Sequence, residues 1–344
     1  MNPEVYRPKP ETKLTPFTVK EVLVAGNRGP CGGVNMAIEA ANQVLDIVDG
    51  REPVYSNWDI VNNNPVMNRL NSRGLVSVRN NWDLVPDNSI VFFSAHGVPP
   101  DYHKIAAEKG FLTIDVTCQL VTVVHTRVKN AQAQGKHIVY IGKDGHPETV
   151  GVLGELDEKN RTFIEPDTDI NTLVLPRDKE IVVYSQTTLA TDEVKDTQQK
   201  LQDKFPGIII PNRNDICYAT DNRQLAAEDL LDNHTVDFLL VAGSSHSHNS
   251  EELRKKAEKK GIPSALVDKP EDVQREWFTK GVEKVGATAG ASELEEDFQK
   301  ILDIFRNEGI DPVVYLPQIV PEKDMTFKLP QGDIIALKER YKTL

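Results

Sequence analysis

The chain has 344 residues, 39% of them hydrophobic, enough to bury a substantial core spread over two or three domains. Its 52 acidic and 40 basic residues give a formal charge of -12, which repels a phosphate backbone and argues against nucleic acid as a partner. No run of about 18 apolar residues reads as a membrane span, and three cysteines far apart do not make a disulfide framework, so a soluble, cytoplasmic protein with reduced thiols is expected.

Taken in chain order, residues 1–18 are polar and Pro-rich, without an apolar leader, and read as an N-terminal extension. The strand-like EVLVAGNRGPC then leads to Cys31. Beyond it Val34, Ala37, Ile38, Ala41, Val44, Leu45 and Val48 recur at helical spacing and predict one buried face. SIVFFSAHG ends at His96, and FLTIDVTC brings the second cysteine, Cys118. KHIVYIGKDGHPE ends at His146 and Glu148, EIVVYSQTT at Thr188, and GIIIPNRNDIC at the third cysteine, Cys217. VDFLLVAGSSHSHNS carries Ser247, His248 and Asn249, and EKVGATAGAS ends at Ser292.

Apolar runs alternating with helical patterns predict an α/β fold with mainly parallel sheets. The cysteines are evenly spaced, 118 − 31 = 87 and 217 − 118 = 99 residues apart, and each stands between a strand-like run and a helical pattern. That repeat predicts three α/β units: 19–116 carrying Cys31, 117–214 carrying Cys118, and 215–312 carrying Cys217. Residues 313–344 form a C-terminal segment expected to pack back on the first unit. Ligands of open parallel sheets gather at the carboxyl ends of the strands, so the polar clusters should line one cavity if the units face one another.

Isolated cysteines are commonly small core residues, but core packing gives no reason for three of them to repeat one placement. Three thiolates satisfy three irons of a cubane and leave the fourth open to substrate. A three-cysteine zinc site stays open on spacing alone, although closely spaced CxxC pairs are missing. His96 and His146, beside predicted helix starts, suggest an anion site. His246 and His248 could also mimic a metal pair. Glu148, an acidic side chain in that polar cluster, should have a raised pKa and suits proton donation, though a helix N-terminus accounts for it as well. No P-loop, GxSxG elbow or HExxH motif occurs, and NRGPCGG lacks the full dinucleotide-loop pattern.

From about Val22 to Pro330 the chain resembles the 4-hydroxy-3-methylbut-2-enyl diphosphate reductase family, which acts last in the methylerythritol phosphate route to isoprenoids. NRGPCGGV, SAHGV, DVTCQLVTVVH, GHPE, SQTTL, DICYATDNRQ and TAGAS carry the likeness in the family's order and spacing. The resemblance implies a three-lobed, trefoil-like fold around one 4Fe-4S cluster per chain, held by Cys31, Cys118 and Cys217. It implies that His96, His146, Ser247, Asn249 and Ser292 hold the substrate diphosphate, and that Thr188 and Glu148 stand near the allylic hydroxyl. The implied reaction removes that hydroxyl reductively and yields isopentenyl and dimethylallyl diphosphate. Glu148 would deliver protons, and electrons would come from an external carrier such as ferredoxin or flavodoxin. Two positions depart from the pattern: Asn62 stands where the family usually has histidine, and His248 where it usually has serine. His248 is therefore expected to restore to the phosphate the donor that Asn62 replaces. The residue reading leaves two rivals, an iron-sulfur hydrolyase, which would need no reductant, and a redox-sensing iron-sulfur or zinc protein, which would leave the anion cluster unused.

Overall fold

The computed structural model of the protein describes residues 15–212, 215–322 and 328–342. Along the chain run β1 (Glu21–Val24), α1 (Gly32–Val48), β2 (Val54–Ser56), α2 (Asn64–Ser72), β3 (Leu75–Ser77), β4 (Ile90–Phe93), α3 (Pro100–Glu108) and β5 (Leu112–Asp115). There follow α4 (Gln119–Ala133), β6 (His137–Ile141), α5 (Pro147–Gly154), β7 (Arg161–Ile164), β8 (Ile181–Ser185) and α6 (Thr191–Lys204). The last stretch holds α7 (Tyr218–Asn233), β9 (Phe238–Ala242), α8 (His248–Lys259), β10 (Ser264–Val267), β11 (Lys284–Ala289), α9 (Glu295–Asn307), β12 (Val313–Tyr315) and α10 (Gln331–Lys342).

The strands build three parallel sheets, ordered β3-β2-β4-β5, β7-β6-β8 and β10-β9-β11-β1-β12. The α/β class with parallel sheets is thus as the sequence pattern implied. Central strands are apolar throughout because helices cover both of their faces. In β9, Phe238, Leu240 and Ala242 pack toward Phe298, Ile301, Leu302 and Phe305 of α9, whereas Leu239 and Val241 meet Ala227 and Leu230 of α7 and Leu253 of α8. In the second sheet Val139 and Ile141 of β6 face Val194 and Leu201 of α6, and Ile138 and Tyr140 face Val124 and Val128 of α4.

Two expectations from the cysteine spacing need correction. Strand β1, assigned to the first unit, lies in the third sheet between β11 and β12, while the helix that follows it, α1, packs on the first sheet. The apolar EVLV run specifies a strand buried on both sides but carries no information on which sheet it joins, because pairing partners nearly 300 residues away are not local. The GIII run before Cys217 forms only one bridge, Ile209 with Val182 of β8, where flanking Pro206, Gly207 and Pro211 stop a longer ladder. The C-terminal segment divides: β12 pairs with β1, and α10 inserts Ile334 and Leu337 into the first unit's core against α1. Of the N-terminal extension, residues 1–14 fall outside the described residues. Thr18 hydrogen-bonds to the Phe278 and Val282 carbonyls of the third unit. Because β1 joins the third sheet and α1 packs on the first, the loop between them passes from one unit to another and carries Cys31 to the cavity. There Gly26 passes so close to the Pro317 backbone that a Cβ would stand 2.0 Å from its carbonyl oxygen.

Candidate active site

The three cysteines share one local position. Cys31, Cys118 and Cys217 are the N-caps of α1, α4 and α7, so each sulfur sits where unpaired N–H groups and the helix dipole favour negative charge. The backbone N–H of each donates to a carbonyl of another strand-end loop: Cys31 to Ala291 (3.0 Å), Cys118 to Ala95 (3.0 Å) and Cys217 to Thr187 (2.8 Å). Every acceptor precedes a polar residue singled out in the sequence, namely Ser292, His96 and Thr188, so each cysteine loop is stitched to one such residue. Burial, then the Cys31 sulfur nearby, push the Cys118 and Cys217 thiols up to about 12. Thiols in such a place are inert unless a cation draws off their protons.

One cavity of about 750 Å3, counting its mouth, is lined by all eleven residues named above: Cys31, Asn62, His96, Cys118, His146, Glu148, Thr188, Cys217, Ser247, His248 and Asn249, together with Ser292 as the twelfth. His246 is not among the lining residues; its backbone N–H donates to Ser244 Oγ (3.2 Å). One wall of the cavity is built of hydrogen-bond donors. The Asn62 amide donates to His96 Nε2 (3.1 Å), which leaves the ring proton on Nδ1, 3.3 Å from Ser94 Oγ. His146 is the N-cap of α5 and accepts from the Glu148 backbone N–H on Nδ1 (3.2 Å), so its proton is carried on Nε2. Burial holds His96 at about 4 and His146 at about 3, so both rings are neutral near pH 7, with the His146 Nε2 proton free to donate. The two rings meet edge to face, with centroids 5.6 Å apart.

Opposite them, Ser247 caps α8, and its hydroxyl lies 3.5 Å from Ser292 Oγ, which donates to the Asn62 carbonyl (2.9 Å). Asn249 spends its carbonyl oxygen on the Ala291 N–H (2.9 Å), while its buried Nδ2 has no protein partner. His248 Nε2 is likewise buried without a partner, 3.9 Å from Glu252 Oε1. Unsatisfied buried donors are costly. Together with the α8 N-terminus they fit an anion rich in acceptor oxygens.

Glu148 is fully buried on the first turn of α5. Burial raises its carboxyl to about 7, even though the Thr187 N–H (2.7 Å) and hydroxyl (2.9 Å) both donate to it. Thr188 Oγ1 accepts from the Gln186 amide (2.8 Å), whose oxygen is in turn fixed by Lys143 N and Thr149 Oγ1. A carboxyl near half protonation beside oriented hydroxyls can deliver a proton at neutral pH.

A model of the family described as LytB protein matches residues 22–306. The chain belongs to the LytB family. Among LytB relatives, the 4-hydroxy-3-methylbut-2-enyl diphosphate reductase of Azotobacter vinelandii is 40% identical over 313 residues, covering 90% of this chain and 97% of that protein. The reductase of Acidithiobacillus ferrooxidans is 38% identical over 323 residues, covering 93% and 99%. In three dimensions the chain is similar to the E-1-hydroxy-2-methyl-but-2-enyl-4-diphosphate reductase of Plasmodium falciparum, with a TM-score of 0.86, 31% identity and coverage of 94% of this chain and 99% of that one. A second solved structure, titled as the terminal enzyme of the non-mevalonate pathway, aligns with a TM-score of 0.59 and 26% identity, covering 84% of this chain and 100% of that one.

Sequence reasoning passed over Thr187 and Gln186, which hold Glu148 and Thr188, although SQTTL put them beside a recognised position. Asn63 was also missed. An Asn ahead of Asn-Pro is an N-cap signal, and Asn63 does cap α2 through its Oδ1. That Val34, Val61, Leu120 and Val121 would line the cavity had no local signal, because it depends on how α1, α4 and the loop before α2 face one another.

Proposed function

We propose that the protein reductively dehydroxylates (E)-4-hydroxy-3-methylbut-2-enyl diphosphate to isopentenyl and dimethylallyl diphosphate; its LytB relatives are named as reductases of 4-hydroxy-3-methylbut-2-enyl diphosphate. One observation carries the reading: three cysteine N-caps and two buried nitrogens without protein partners, Asn249 Nδ2 and His248 Nε2, share one cavity with a buried carboxyl of raised pKa. Cys31, Cys118 and Cys217 would hold a 4Fe-4S cluster, which when bound supplies single electrons and Lewis acidity. The donor spacing fits this better than a single ion. Thiolates about 2.3 Å from one zinc crowd to within about 4 Å of each other. Among the described residues, the one trio of His, Cys, Asp or Glu ligand atoms all within 4.8 Å is Glu193, His248 and Glu252, so the sulfurs ring the cavity more widely. That trio already has cations beside it, Lys255 on Glu252 and Lys259 near Glu193.

His146, Ser247, His248, Asn249, Ser292 and His96 bind the diphosphate, and the α8 dipole adds to their pull. Asn62 orients His96. Glu148 holds the proton that converts the departing hydroxyl to water, and Thr188 orients that hydroxyl. Apolar Val34, Val61, Leu120 and Val121 exclude water from the hydrocarbon part. Electrons come from an external one-electron carrier of the ferredoxin or flavodoxin type. Among the described residues no helix is long and apolar enough to cross a membrane.

The test is anaerobic purification, iron and sulfide analysis, and incubation of the diphosphate substrate with and without a chemical reductant. The expected outcome is about four irons per chain, reductant-dependent formation of both products, and iron loss in Cys118→Ser. Conversion without reductant would move the protein to the hydrolyase class.

A further inference from the structure

The diphosphate-binding wall draws on all three units, and a buried polar pair at its back bridges the first and the third. Asn62 belongs to the loop before α2 in the first unit, and Ser292 to the loop before α9 in the third. Ser292 Oγ donates to the Asn62 carbonyl (2.9 Å), while the Asn63 amide donates both to the Ser292 carbonyl (3.0 Å) and to Glu293 Oε2 (2.7 Å). Asn63 Oδ1 is engaged as well, accepting from Val66 N (2.8 Å) at the start of α2. Asn63 is 1% exposed and Glu293 0%. A carboxyl sealed from water with a single donor on one oxygen and none on the other is an expensive way to fill space. Burial and the nearby Asp297 and Asp268 carboxylates oppose its ionisation, with Arg69 of α2 the cation facing it. Core packing alone would be served by an apolar side chain there.

We propose that Asn63 and Glu293 are positioning residues that set the separation of Asn62 and Ser292, and with it the fit of the cavity to the diphosphate. The proposal rests on the functional reading above. Neither side chain lines the cavity, so both act through their neighbours, and they act on binding rather than on proton or electron transfer. Docking of α2 on the third unit has other supports, Arg69 on Asp297 (2.9 Å) and Asn64 on Asp268 (2.6 Å), so loss of the Glu293 contact loosens the loops without separating the units.

The cluster-loaded enzyme, its Glu293→Ala and Glu293→Gln variants, and Asn63→Asp are compared by calorimetric binding of inorganic pyrophosphate and by steady-state turnover. Asn63→Asp keeps the acceptor that caps α2 and exchanges the amide donor for a second carboxyl facing Glu293, so it breaks the pair by another route should Glu293→Ala not fold. Glu293→Ala and Asn63→Asp are expected to weaken pyrophosphate binding and raise KM about tenfold, with kcat within threefold of wild type. Glu293→Gln, which can still accept from Asn63, returns both to within threefold. Unchanged pyrophosphate affinity in a folded Glu293→Ala or Asn63→Asp, a Gln variant as impaired as Ala, or a fall in kcat at constant KM overturns the proposal. A wild-type enzyme that neither binds pyrophosphate nor consumes the substrate overturns the functional reading instead.

Discussion

Replacing Glu148 by Gln separates what this carboxyl does for chemistry from what it does to stability. Gln mimics the protonated acid: its oxygen accepts from Thr187 N–H and its amide meets the Thr187 hydroxyl, which can turn to accept. Both contacts of the carboxylate are therefore replaced. What changes is ionisation. Burial holds the folded-state carboxyl at about 7, against 4.5 for an exposed glutamate as in the unfolded chain. The folded protein thus retains a proton that the unfolded chain has lost, and the stability this contributes falls away as pH rises through that window. Holding the folded carboxyl at about 7 is worth about 3 kcal/mol between low and high pH. Urea denaturation of the metal-free protein should show Glu148→Gln nearly equal to wild type at pH 4 and more stable by about 3 kcal/mol at pH 8.5. Cluster-loaded Glu148→Gln should meanwhile lose about 10²-fold or more in turnover. A stability difference that does not vary with pH, or full turnover in the variant, refutes the assignment.

Asn62→His and His248→Ser, singly and together, should give a coupling energy of about 1 kcal/mol or more in pyrophosphate affinity, since Ser292 Oγ joins the Asn62 carbonyl to Ser247 beside His248. Strictly additive effects would end the idea that one compensates for the other. Because burial holds His96 and His146 near 4 and 3, an arriving anion should raise their pKa values, and pyrophosphate binding near pH 6 should take up protons. Calorimetry in buffers of different ionisation enthalpy measures this, and uptake absent from wild type would remove the two rings from the anion site. Gly290→Ala sets a Cβ 2.0 Å from Ser250 Oγ and 3.4 Å from the Ser250 Cα, two residues before Ser292. A loss of about 1 to 3 kcal/mol in denaturation is expected, partly recovered by Ser250→Ala, and an unperturbed Gly290→Ala would show that the β11 end yields freely.

Much of the centre was legible because its signals are local. A strand-like run, a short loop and a helical pattern place a cysteine at a helix N-terminus, and the same grammar places His146 and Ser247 as caps. The run before Cys217 misled because Pro and Gly on either side limit a strand in ways that apolar content does not report. Thr187 was hidden for a different reason, since its function is to donate to Glu148, 39 residues earlier in the chain.

Sequence by itself determined the α/β class, the three cysteines as a set and the polar residues at strand ends, because periodicity and capping are written in neighbouring residues. Only the tertiary structure decided that β1 joins the third sheet, that the polar and cysteine residues of three units line one cavity, and that Asn63 reaches Glu293. Those outcomes depend on which apolar faces bury each other across hundreds of residues, and on how far burial moves a carboxyl or an imidazole from its pKa in water.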